Sequence, residues 1–148
     1  MKIKINIISI VFVFLFLLNS IQSQTQIDSL KGLISKSEGK QKLKLLIEAG
    51  YFLSSENPNE AINYLNEAIT LADKINSRWS KADAIFNKGV ALWHLGDINQ
   101  SDKLYEEAIK IYEEFNDSLS LIKVFNSQAI NHQMKGNVDL AFETFLRS

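Results

Sequence analysis

Residues 85–108 read IFNKGVALWHLGDINQSDKLYEEA, and this stretch decides the fold. Large and small apolar residues recur at helical spacing on both sides of a Gly-Asp pair: Ile85, Gly89 and Leu92 before it, Tyr105 and Ala108 after it. Glycine just past a helix takes a left-handed backbone at little cost, and the aspartate that follows accepts free amide protons of the next helix. The stretch therefore predicts two helices joined by a tight turn, with Gly89 letting them approach closely.

Stepping out by 40 residues finds the same pattern on either side. Leu45, Ala49 and Phe52 precede Ile85, Gly89 and Leu92 by that interval, and Phe125, Ala129 and His132 follow. In the second helix Ala61, Leu65 and Ala68 become Ser101, Tyr105 and Ala108, then Ala141, Phe145 and Ser148. A fixed period of 20 to 50 residues with helical spacing in both halves is the signature of stacked helical hairpins. The predicted fold class is an all-α array of helical hairpins, an α-solenoid of about three repeats near 42–81, 82–121 and 122–148, within a domain over 40–148. Helices are expected near 40–54, 59–75, 79–95, 98–115, 118–135 and from 138 on. Over 24–39, Ile27, Leu30, Leu33 and Ile34 predict a short leading helix that caps the array.

The turn chemistry repeats with the core. Gly136 and Asn137 match Gly96 and Asp97, while the first unit uses Asn57 as cap, Pro58 in the first helical turn and Glu60 in capping-box spacing. Ser77 and the Asn116, Asp117, Ser118 cluster supply caps between units. Leu65, Tyr105 and Phe145 are expected to fill the space that small residues leave between facing helices.

Composition bounds the function. At 46% hydrophobic residues in 148, the chain can bury a core and reads as one folded domain. With a net charge of −1 there is no basic excess to neutralise phosphates, so nucleic acid is not an expected partner. The absence of cysteine excludes disulfides, thiolate metal sites and a cysteine nucleophile. The first 23 residues read as a signal peptide: Lys2 and Lys4, an apolar run from Ile5 to Leu18, then small Ser20 and Ser23. The cut is placed after Ser23, with Ser20 as an alternative. An uncleaved anchor is disfavoured because 14 apolar residues span roughly 21 Å of helix against roughly 30 Å of hydrocarbon. Export across the cytoplasmic membrane is the expectation, with no membrane contact by the repeats themselves.

These residues together resemble the tetratricopeptide repeat family. Its pattern sets a large residue, a Gly or Ala and a further large residue along the first helix. A Gly-Asp type turn follows, then Ala, an aromatic and Ala down the second. The resemblance covers about residues 42–148 and is best over Ile85, Gly89, Leu92, Gly96, Asp97, Tyr105 and Ala108. It departs in a period of 40 where 34 is usual, in Ser101 where Ala is expected, in Lys88 where Leu is common, and in His132 where an aromatic would stand. Long repeats of this kind resemble those in the sensory regions of bacterial regulators.

The resemblance implies a concave groove lined by the first helices, which here carry a second stripe one residue on from the packing stripe: Leu46, Gly50 and Leu53, then Phe86, Val90 and Trp93, then Asn126, Ile130 and Gln133. The candidate partner-binding residues are Phe86, Asn87, Val90, Trp93, His94, Asn126, Ile130 and Gln133. Trp93 is the leading contact, because a rigid aromatic offers large area at small entropic cost. The competing reading is that this stripe only packs neighbouring first helices together. The family's clamp for a terminal carboxylate is matched by Asn87 and Lys123 but not by Leu46, Gly50 and Ser127, leaving too few donors to offset desolvation. His94 and His132 lack the companions a zinc or catalytic site needs, and His132 stands at a packing position. Glu106, Glu107, Glu113 and Glu114, with Lys103 and Lys110, read as a solvated helix face.

No catalytic constellation, metal site or cofactor is expected within these residues. The reading is an exported scaffold that binds a protein or peptide segment. Its alternative is the extracytoplasmic input region of a larger signalling protein such as a sensor histidine kinase. Phe142, equivalent to Ile62, would then be covered by a further repeat beyond Ser148; otherwise a second copy would pack there.

Overall fold

A computed structural model describes residues 25–147; the proposed leader and its cleavage site lie outside the described residues. Seven helices follow one another: α1 over 25–34, α2 Gly39–Leu53, α3 Pro58–Lys74, α4 Arg78–His94, α5 Ile98–Glu114, α6 Ser118–Met134 and α7 Val138–Leu146. No strand occurs among the described residues, and no helix there is long and apolar enough to cross a membrane.

Each helix from α2 to α7 packs on the next in sequence, and α2 also touches α4. This chain of neighbours is the predicted repeat array. One apolar cluster runs through α1 to α4, with Leu43, Leu46, Leu65 and Ala68 at its centre and Ile27, Leu30 and Ile34 of α1 buried against it. A second joins α4, α5 and α6 through Ile85, Tyr105, Tyr112, Val124 and Phe125. Leu33, expected on the α1 stripe, is instead exposed.

The turns explain the helix ends. After α3, α4, α5 and α6 a left-handed residue stands past the helix: Asn76, Gly96, Asn116 and Gly136. In each case the next amide reaches back five residues, as Asp97 N–H does to the Leu92 carbonyl at 2.9 Å and Ser77 N–H to that of Ala72 at 2.8 Å. Asp97, Asp117 and Asn57 then cap the following helices, accepting from the amides of Gln100, Ser120 and Glu60. Ser77 and Asn137 occupy cap positions without a side-chain cap bond.

The turn after α2 differs, and the difference corrects the register. No residue between Ser54 and Asn57 takes a left-handed backbone, and Asn57 N–H reaches back only four residues, to the Leu53 carbonyl at 2.8 Å. From Leu53 to the cap Asn57 is four residues where Leu92 to the cap Asp97 is five, so α2 repeats at 39 and not 40. Leu43, Leu46, Gly50 and Leu53 are therefore buried, as Ala82, Ile85 and Gly89 are in α4, while Phe52, expected to pack, is 37% exposed. A Cβ on Gly50 would lie 2.4 Å from Leu65 Cγ, and one on Gly89 2.6 Å from Tyr105 Cε1. In the third unit Phe145 does not fill a core as Leu65 and Tyr105 do; it is 42% exposed, and Thr144 is buried beside Ala141.

Candidate partner-binding site

With the register corrected, three first helices present matching rows on a shared face. The rows are Lys44, Asp83 and Lys123; Ile47, Phe86 and Asn126; Tyr51, Val90 and Ile130; and, past the end of α2, Trp93 and Gln133. A cavity of about 560 Å³ opens on this face, lined by Lys44, Ile47, Glu48, Tyr51, Asp83, Phe86, Asn87 and Lys123. A second of about 310 Å³ adjoins it, shares Lys44, Ile47 and Asp83, and is bounded by Lys40, Ser77 and Trp79.

The sequence-selected residues divide by location. Phe86 and Asn87 line the larger cavity, but both are also structural. Phe86 packs on Tyr105 with ring centroids 5.6 Å apart, and Asn87 is buried with Nδ2 donating to the Asp83 carbonyl at 2.8 Å. Val90 is half-buried against the second apolar cluster, and Asn126 is half-buried on α6. His94, Ile130 and Gln133 are exposed further along the face. Trp93 is half-buried, meets the His94 ring edge-on at 4.9 Å, and donates from Nε1 to Met134 Sδ at 3.2 Å, so it bridges α4 to α6. Trp79 makes the same bridge at the other end of α4, donating to Asp117 Oδ2 at 2.8 Å.

The stripe of Leu46, Gly50 and Leu53 is core, not groove; one residue on, Ile47 and Tyr51 take its place on α2, with Lys44 a turn before them, which the 40-residue spacing missed. The clamp comparison changes accordingly. Ile47 and Tyr51 replace Leu46 and Gly50 at the positions in question, and neither supplies the cationic or amide donors such a clamp uses.

Electrostatics centre on Asp83. It is half-buried; burial pushes its carboxyl above the usual range, opposed by a long hydrogen bond from Tyr112 Oη at 3.4 Å and by the Lys123 charge. Burial likewise pushes the Tyr112 hydroxyl up, and the Asp83 charge adds to this. Asp117 is shifted the other way, held below the usual carboxylate range first by the Trp79 indole and then by Ser120. Behind the face, α5 and α6 meet through a buried polar cluster. Asn131 Nδ2 donates to Asp102 Oδ1 at 2.6 Å and to Ser101 Oγ at 3.2 Å, and Lys135 pairs with the other Asp102 oxygen. Ser101, which stands where an Ala is expected, is thus a polar contact of the next unit. Among the described residues no three His, Cys, Asp or Glu side chains gather as a metal site.

Residues 82–115 match the tetratricopeptide repeat family model, within the stretch that carries the sequence resemblance. A Rap protein, solved in complex with Competence and Sporulation Factor, shares the fold with a TM-score of 0.76 at 19% identity over 85% of this chain. The match covers 36% of the Rap chain, so this chain spans about a third of that protein. No curated protein sequence matches the chain.

Proposed function

We propose that this protein is a recognition scaffold whose first-helix face binds a protein or peptide segment, without chemistry of its own. The observation that carries the reading is the pair of adjoining cavities on α2, α4 and α6, where apolar Ile47, Tyr51 and Phe86 stand beside lysines. Mostly apolar walls with a few polar groups are the usual make-up of a binding cleft. The Rap protein, captured with a bound factor, supports the same use of the fold. Photocrosslinking side chains placed at Ile130 and Gln133 on the face, and at Glu106 on α5 as a control, test this in the native host. Adducts from the first two and none from Glu106 are expected; equal labelling from all three overturns the reading.

Lys2, Lys4 and the apolar run behind them support export as a further part of the proposal. Cell fractionation should find the protein outside the cytoplasm, and a cytoplasmic pool alone rejects it. The second reading, an input region of a larger signalling protein, is favoured by the apolar outer surface of α7, where Phe142 is 64% and Leu146 72% exposed. Its test is the reading frame beyond Ser148. Continuation into further repeats and then about 20 apolar residues supports it, and an immediate stop removes it.

A further inference from the structure

The first-helix face is graded along its length, and its charged end has a defined preference. Lys44 and Lys123 stand exposed on either side of Asp83, one residue from each first helix, and Lys40 lies at the edge of the adjoining cavity. None of these three lysines belongs to the ion pairs among the described residues, which use Lys31, Lys42, Arg78, Lys81 and Lys135 instead. The acids near them, Asp83, Glu48 and Asp117, are all half-buried. Asp83 accepts from Tyr112, Glu48 sits on the far wall, and Asp117 is engaged by Trp79 and Ser120. Next to this row come Ile47, Phe86 and the 61% exposed Tyr51, which form an apolar shelf in the same cavity.

Resting on the reading of this face as a docking surface, we propose that its charged end selects a partner segment carrying an internal acidic side chain close to a bulky apolar one. The carboxylate is received by Lys44 and Lys123 and the apolar group by Ile47, Tyr51 and Phe86. A cationic segment would meet three exposed ammonium groups before reaching the half-buried acids, so charge complementarity favours the anion. An internal carboxylate is specified because α2 offers Ile47 and Tyr51, not cation and amide, where capture of a chain terminus would need several convergent donors.

The test uses three pools of acetylated and amidated nonapeptides. All share one Phe, carry Glu, Gln or Lys two residues before it, and are randomised over Gly, Ser, Ala and Leu elsewhere. Retention on the immobilised protein is read by mass spectrometry. The Glu pool should be retained on the order of fivefold over both others at low salt, the scale of one or two exposed ion pairs, and the preference should fade as salt is raised. The Lys44→Gln, Lys123→Gln double variant, both sites being exposed, should keep its melting temperature and bring the ratio to about one. Equal retention of all pools, with loss on Tyr51→Ala, overturns the acidic preference and leaves the docking face standing. Preference for the Lys pool overturns the proposal in favour of Asp83 and Glu48 as the recognition groups. Retention of none also overturns it, and crosslinking at Gln133 then decides whether the face reading falls as well.

Discussion

At Gly89 any side chain must displace a ring. A methyl group there would lie 2.6 Å from Tyr105 Cε1 and 2.9 Å from Cδ1, and Tyr105 is buried. Gly89→Ala should therefore destabilise by about 1–3 kcal/mol in urea unfolding, despite the roughly 1 kcal/mol that alanine contributes to an unconstrained helix. Titration should separate two aspartates on opposite signs. Burial raises the folded-state value of Asp83, so the native chain holds this proton to higher pH than the unfolded chain does. Its contribution is complete below the ordinary value of about 4 and is lost as pH rises through the folded value. Asp83→Asn removes that loss, so its melting temperature should gain on the parent as pH rises above the ordinary carboxylate value of about 4. Asp117, lowered in the fold, contributes above the ordinary value and loses that contribution as pH falls through its folded value. Asp117→Ala should cost about 1 kcal/mol at neutral pH as a lost helix cap, with the deficit shrinking in acid.

Between elements, the decisive variable is how each helix pair is closed. The 40-residue spacing located α2 to α7 to within a residue or so and picked out the α4 and α6 sides of the candidate face, because their turns share Gly-Asp and Gly-Asn chemistry. It misplaced α2 by one position, which turns each of its side chains by about 100° around the axis. That slip put Leu46 and Gly50 on the face where Ile47 and Tyr51 stand. The absence of any glycine between Leu53 and Pro58 was the available clue. What periodicity could not convey was the polar joint between α5 and α6. The corresponding positions one unit earlier, Ile62 and Ala91, belong to the first apolar cluster, whereas Asp102 and Asn131 bond to each other. Asn131→Ala should cost about 1–3 kcal/mol by leaving buried Asp102 short of a donor. Adding Asp102→Ile, which copies the earlier unit's pair, should recover part of that loss, a coupling of about 0.5–3 kcal/mol in a double-mutant cycle.

Across the whole molecule, each unit leans only on its neighbours, so stability is distributed along the array and not held in one centre. α3 is packed on both α2 and α4 and buries Ala61, Leu65, Ala68 and Ala72, while α7 leaves Val138, Phe142 and Leu146 exposed and packs on α6. Native-state hydrogen exchange should therefore show amides of α7 exchanging at least ~10-fold faster than those of α3, with α2 and α4 following α3. Equal protection throughout would mean a single cooperative core, contrary to the nearest-neighbour arrangement. The two tryptophans are the chain's complete set, and both indoles reach from α4 to groups on or capping α6. Intrinsic fluorescence thus watches a single seam, from both of its ends and without any label. A ligand that spreads or tightens the third hairpin against the second would announce itself as a spectral shift, and so would one that enters the cavity between α2 and the Trp79 ring.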